Sequence, residues 1–132
     1  MRDSRLRVVL VEDSPDIRAR LAESLAEIPN LDIVGEADTE RDAVALLTKG
    51  TWDAVVLDLQ LRHGTGLSVL KSLERRGSND GKVMVFTNYS FPVYREKSMA
   101  LGADFFFDKA REFPRLRDVL FQLAMGEAVR SH

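Results

Sequence analysis

The chain has 132 residues, enough for one domain, and 19 Lys and Arg against 21 Asp and Glu leave a formal charge of −2, so no basic surface dominates. Apolar residues make up 45% and charged residues 30%, a globular balance that excludes a disordered or fibrous chain. Cysteine is absent, which excludes disulfides, thiolate metal sites and cysteine nucleophiles, and no apolar stretch approaches the roughly 18 residues of a membrane helix.

The first element is a short apolar run, Leu6 to Val11, expected to be a strand. Ser14 then offers a helix N-cap with Pro15 at the first helical position, and Ile17, Leu21, Leu25 and Ile28 follow at spacings of 4, 4 and 3, one apolar stripe. A second run, Leu31 to Val34, precedes Thr39, which can cap a helix whose Ala43, Val44 and Leu47 face one way, with Gly50 as its C′ residue. After the third run, Ala54 to Leu57, a helix is expected over Leu67 to Arg76, presenting Leu67, Leu70 and Leu73. Val83 to Phe86 is the fourth run, and Pro92 opens a helix that ends near Gly102. Phe105 to Phe107 is the fifth, and Pro114 opens a last helix with Leu116, Val119, Leu120 and Leu123 on one side. Apart from Arg7 and Asp32, neighbours within the runs are both apolar, which predicts strands covered on both faces.

Five strand and helix units joined by short connections imply an α/β fold, a parallel sheet with helices on both faces and right-handed crossovers. Ligands bind such sheets at the carboxyl ends of the strands, so the polar residues that follow each run are the ones that matter. They are Glu12 and Asp13, Asp58, Thr87, and Asp108 with Lys109; the second run leads into Gly35, Glu36 and Ala37, a less functional set. Glu12, Asp13 and Asp58 bring −3 to one rim and Lys109 only +1. Crowded carboxylates raise one another's pKa, so a hard divalent cation, Mg²⁺ or Mn²⁺, is the natural neutraliser. Such a cation takes further ligands from water and phosphate oxygens, which points to phosphoryl chemistry. Asp58, on a rigid apolar strand, is then a candidate nucleophile, with Thr87 and Lys109 contacting phosphoryl oxygens.

The acidic pair, the Asp, the Thr and the Lys, one after each strand, resemble the receiver domain of two-component response regulators, and the resemblance covers essentially the whole chain. It is carried by Val8 to Asp13, by Asp58 to Leu61 with Gly64 and Gly66, and by Ala100 to Asp104. It implies a flavodoxin-like, doubly wound five-stranded sheet in the order 2-1-3-4-5. It also implies that Asp58 accepts a phosphoryl group from a histidine kinase or histidine phosphotransfer protein. Asp13 and Asp58 would bind the metal directly, Glu12 through water, and the backbone carbonyl of Gln60 would complete the protein ligands. Thr87 and Phe106 would form the switch, and Gln60 and Tyr89 would tune dephosphorylation. Apart from its own phosphorylation and dephosphorylation such a domain is not an enzyme; its output is a population shift that a partner reads.

The sequence departs from the family pattern at four positions. Ala110 replaces the common proline after the Lys, so a trans bond is expected there, the cis form costing about 3 kcal/mol. Asn88 replaces a small residue after Thr87 and either crowds the approach to Asp58 or adds a donor. Arg62 replaces a frequent proline, and Phe106 lacks the hydroxyl of the commoner Tyr. Asn88 and Ala110 keep a second reading open, a degenerate receiver acting as a phosphorylation-independent interaction module. An aspartate-based phosphatase of the haloacid dehalogenase type fares worse, because Gln60 stands where its second Asp belongs and no insertion could form a cap. His63 and His132 carry no metal-binding pattern, Arg75, Arg76, Arg111, Arg115 and Arg117 read as solvated surface, and Gly64 and Gly66 as a flexible turn. The start of the chain makes no signal peptide, since its apolar run breaks at Glu12. The expectation is a single receiver domain over 1–132 with no output domain, cytoplasmic, away from membranes and not contacting nucleic acid directly. It signals to an unidentified downstream protein through its fourth helix, fifth strand and fifth helix, and a homodimer stays open.

Overall fold

A computed structural model describes residues 5–74, 81–127 and 129. Five strands, β1 (Leu6–Val11), β2 (Leu31–Ala37), β3 (Ala54–Leu57), β4 (Lys82–Thr87) and β5 (Phe105–Asp108), alternate with α1 (Pro15–Leu25), α2 (Glu40–Lys49), α3 (Gly66–Leu73), α4 (Pro92–Ala100) and α5 (Phe113–Ala124). All the pairings are parallel and the order is β2-β1-β3-β4-β5, so β1 and β3 lie side by side inside the sheet and all carboxyl ends meet at one edge.

Strand alternation sends neighbouring residues to two separate cores. Leu6, Val8, Leu10, Phe105 and Phe107 meet Leu21 and Leu25 of α1 and Leu116, Val119 and Leu120 of α5. Val9, Val11 and Phe106 face the other way, toward Ala43 and Leu47 of α2 and Val69, Leu70 and Leu73 of α3. Burying one such Leu or Val is worth about 1.5–3 kcal/mol, so both layers are held mainly by apolar contact. The Phe105 and Phe107 rings, two residues apart on one face, stack at 5.8 Å.

The edge strand differs from expectation. β2 alternates instead of burying both faces: Leu31 and Ala37 are buried, while Asp32, Val34 and Glu36 are exposed. The register passes from Val8 opposite Ile33 to Val9 opposite Gly35, a bulge that leaves Val34 without a partner and 47% exposed. An edge position explains both, since a strand paired on one side can bend away from its covering layer.

Helix starts follow the sequence. Ser14 Oγ accepts from Ile17 N at 3.3 Å and Thr39 Oγ1 from Asp42 N at 3.1 Å. Thr65 caps α3 in the same way at 3.2 Å, and α3 starts one residue earlier than expected and ends at Leu73. The expected continuation through Arg75 and Arg76 lies outside the described residues. Gly50 is the C-cap of α2, at φ −98°, and not the C′ residue expected. Gly102, just past α4, does adopt φ +104°. α5 begins one residue before Pro114. Trp52, at the amino end of β3, is buried and donates its indole N–H to Leu47 O at 2.9 Å. Gly81 lies against its ring, where a Cβ would come within 2.6 Å. No described helix is long and apolar enough to cross a membrane.

Candidate functional site

The carboxyl edge brings the expected residues together. Glu12 follows β1 with its N–H on Ala37 O at 3.0 Å, and Asp58 follows β3 with its N–H on Val11 O at 3.0 Å. Thr87 ends β4, and its carbonyl accepts from Lys109 N at 2.9 Å, just past β5. Each side chain therefore leaves from a backbone fixed by its neighbouring strand. Glu12, Asp58 and Thr87 are buried, Asp13 and Lys109 half-buried. The Lys109 ammonium lies 2.7 Å from Glu12 Oε1 and 2.7 Å from Asp58 Oδ2. The other Asp58 oxygen accepts from Gln60 N at 3.2 Å.

The charge states follow from this arrangement. Burial alone would depress the Lys109 ammonium, but its hydrogen bonds to Asp58 and Glu12 outweigh that and hold its pKa above the ordinary value. Burial pushes the Glu12 carboxyl up; the Lys109 and Ser14 hydrogen bonds oppose the shift without cancelling it. The rim is thus short of positive charge, as the sequence arithmetic predicted. Glu12, Asp13 and Asp58 can offer oxygens that all lie within 4.8 Å of one another, an all-oxygen donor set suited to a hard cation. The Asp13 carboxylate makes no hydrogen bond or ion pair among the described residues, so it is free to serve as a ligand. The residues fit Mg²⁺ or Mn²⁺.

The surrounding positions also have structural roles. Thr87 Oγ1 accepts from Tyr89 N at 3.1 Å, and the Tyr89 ring stacks on Tyr94 at 5.5 Å. Phe106 is buried under α4, with the Arg95 guanidinium 5.6 Å from its ring centroid and donating to its carbonyl at 3.3 Å. The Lys109 to Ala110 bond is trans, as are all the others described. The turn after it is closed by Ala110 N on Asp108 Oδ1 at 3.1 Å and Asp108 N on Glu112 Oε1 at 2.9 Å. Asn88 is exposed and lines a cavity of about 420 Å³ with Ile17, Leu21, Phe86 and Phe113. His63 is exposed and only its carbonyl is used, accepting from Glu40 N at 2.9 Å, while His132 is outside the described residues. Arg117 is more than solvated surface, tying α5 to Ser24 of α1 at 3.2 Å and to Glu27, just past α1, at 3.4 Å.

Gly66, read from the sequence as part of a flexible turn, is the first residue of α3. A Cβ there would collide with the Asp58 carbonyl and come 2.7 Å from Leu59 Cα, so α3 starts directly against the backbone that carries Asp58. Only the short spacing from Asp58 hinted at this, and it reads equally well as a loose turn.

Five parallel strands in this order make a flavodoxin-like domain, and three carboxylates and a lysine converge at its carboxyl edge. The family model for the response regulator receiver domain matches residues 8–121, and the chain belongs to that family. It is 29% identical over 124 residues to the nitrate/nitrite response regulator NarL of Escherichia coli K12, covering 94% of this chain and 57% of NarL. It is 33% identical over 85 residues to the DNA-binding transcriptional activator DevR/DosR of Mycobacterium tuberculosis, covering 64% of this chain and 39% of DevR/DosR. The chain thus spans little more than half the length of NarL and about two fifths of DevR/DosR. In fold it resembles a LuxR-family two-component response regulator from Aurantimonas sp. SI85-9A1, with a TM-score of 0.83, 23% identity and coverage of 97% of this chain and 91% of that one. The isolated receiver domain of RcsB from Salmonella enterica serovar Typhimurium, in the presence of phosphomimetic BeF₃⁻, gives 0.80 at 20% identity, covering 97% of this chain and 94% of that domain.

Proposed function

We propose that Asp58 accepts a phosphoryl group from the phosphohistidine of a kinase or phosphotransfer protein, and that the phosphorylated domain signals through protein contacts on its α4, β5 and α5 face. The carrying observation is the Lys109 ammonium placed 2.7 Å from an oxygen of Asp58, beside two further carboxylates. An Asp58 oxygen bonds to phosphorus as the phosphorus–nitrogen bond breaks, and the imidazole leaves with the electron pair, giving a mixed anhydride. Asp13, Asp58, the Gln60 carbonyl and, through water, Glu12 would hold Mg²⁺ or Mn²⁺, which when bound offsets the negative charge of carboxylates and phosphoryl oxygens. Lys109 keeps its charge throughout, passing from Asp58 to a phosphoryl oxygen. Thr87 Oγ1 already accepts from Tyr89 N, so its hydroxyl hydrogen is available for the phosphoryl oxygen. Phe106, beneath Arg95, transmits that movement to α4, and Gln60 and Tyr89 tune hydrolysis.

With Ala110 in place of proline and a trans bond, Lys109 still reaches Asp58, which supports a working receiver over a phosphorylation-independent module. The test is intact-mass analysis after incubation with acetyl phosphate, with and without Mg²⁺, on wild type and Asp58→Ala. One added phosphoryl group, missing from the variant and from the Mg²⁺-free sample, is the expected result. No adduct on the wild type, and no Mg²⁺-dependent beryllofluoride complex, would leave the interaction module as the better reading.

A further inference from the structure

The two loops that carry the candidate metal-binding groups are each tied by an arginine to one short stretch, the end of the edge strand β2. Arg18 of α1 donates through Nη1 to the carbonyl of Glu12 at 2.6 Å and through Nε to Glu36 Oε1 at 3.0 Å. Arg62, in the loop after Asp58, forms a two-pronged pair with Asp38 at 3.2 and 3.3 Å. Its N–H also reaches the Asp38 carbonyl at 3.1 Å. The same loop is held again at Glu40, whose carboxylate accepts from Thr65 N at 3.1 Å. We propose that Glu36 and Asp38 are a common anchor that positions both loops for metal binding, acting through Arg18 and Arg62. The proposal rests on the reading of Glu12, Asp13, Asp58 and Gln60 as the metal-binding groups.

The physical argument turns on what lacks other support. The Asp13 side chain has no partner among the described residues, so its place depends on the peptide that joins it to Glu12. Arg18 holds the carbonyl of that peptide. Gln60 would contribute a backbone oxygen, and its loop is fixed through Arg62 and Thr65. Ion pairs with this much exposure, 21% and 46% for Arg18 and Glu36 and 56% and 30% for Arg62 and Asp38, add little to global stability. Their effect should therefore appear in metal affinity and not in melting temperature.

The sign of that effect separates positioning from simple charge. A guanidinium near a cation site repels the cation, so if charge alone mattered, neutralising Arg18 or Arg62 would tighten Mg²⁺ binding. If the arginines position the loops, neutralising them weakens it. The experiment is calorimetric titration of Mg²⁺ into the full chain, for wild type, Arg18→Met, Arg18→Lys, Arg62→Met and the exchanged pair Asp38→Arg with Arg62→Asp, with a thermal melt of each. The expected result is about tenfold weaker binding for Arg18→Met and Arg18→Lys, a smaller loss for Arg62→Met, recovery in the exchanged pair, and nearly unchanged melting. Unchanged or tighter binding in the single variants overturns the proposal, and so does a failure of the exchanged pair to recover. The underlying site reading fails separately, when wild type shows no Mg²⁺ binding that Asp13→Asn removes. Arg62 and Asp38 lie on the surface, so the exchanged pair remains a valid test even if Arg18→Met melts early.

Discussion

α4 and α5 lean on β5 from opposite faces of the sheet, and different forces hold them there. α5 buries Leu116, Val119, Leu120 and Ala124 against Phe105 and Phe107, and Arg117 ties it to α1. α4 buries only Ser98, whose hydroxyl has no hydrogen-bond partner among the described residues. The rest of its hold is partial burial of Tyr94 and Met99 and the Arg95 guanidinium over Phe106. Each apolar side chain of α5 is worth about 1.5–3 kcal/mol, whereas a cation over a ring at an exposed site is worth about 0.5–1 kcal/mol. On the proposed function, a helix held by such small contacts is the one that a charge added at Asp58 would re-seat at the least cost. The lesson is that rigidity is distributed unevenly around β5, with the weaker side next to Phe106.

The comparison breaks most sharply at Leu120. Leu120→Ala should cost about 2–5 kcal/mol of unfolding free energy in a urea titration followed by circular dichroism. A loss under 1 kcal/mol would mean that α5 is not the locked side. Ser98→Ala should act in the opposite direction, gaining about 1 kcal/mol by removing an unpaired buried hydroxyl and adding a better helix former. A destabilised Ser98→Ala protein would show that the hydroxyl has a partner and that α4 is better held than it looks.

The smallest effect concerns the end of β5 near the site. The folded-state pKa of Lys109 lies above its ordinary 10.5, so the stability it contributes is complete below that value and is lost as pH rises through the folded pKa. As pH rises above 10.5, wild type should lose stability relative to Lys109→Arg, whose guanidinium stays charged. Parallel curves for the two proteins would remove the ammonium from the account of this region.

Much of this was legible because a parallel sheet converts chain position into spatial position. Glu12, Asp58, Thr87 and Lys109 each follow an apolar run, and parallel pairing alone brings them to one edge. Ser14 and Thr39 were legible for a local reason, since a cap needs only the next three residues. The unread features depend on partners far along the chain. The bulge at Val34 follows from β2 being at the edge, which the run itself does not encode. Gly66 is constrained by Asp58, but its surroundings in sequence describe only a turn. Glu36 and Asp38 looked unremarkable because their partners, Arg18 and Arg62, lie 18 and 24 residues away. The fourth helix showed no apolar stripe, and its structure supplies the reason, a single buried serine.

Trp52 is the chain's one tryptophan, and it lies at the opposite end of β3 from Asp58, with six residue steps, or roughly 20 Å, between them. Its indole is enclosed by Gly81 and the end of α2. Intrinsic fluorescence is therefore an optical report centred on the amino end of the sheet, away from the carboxyl edge. A silent emission trace on adding a phosphoryl donor is therefore compatible with full occupancy of Asp58.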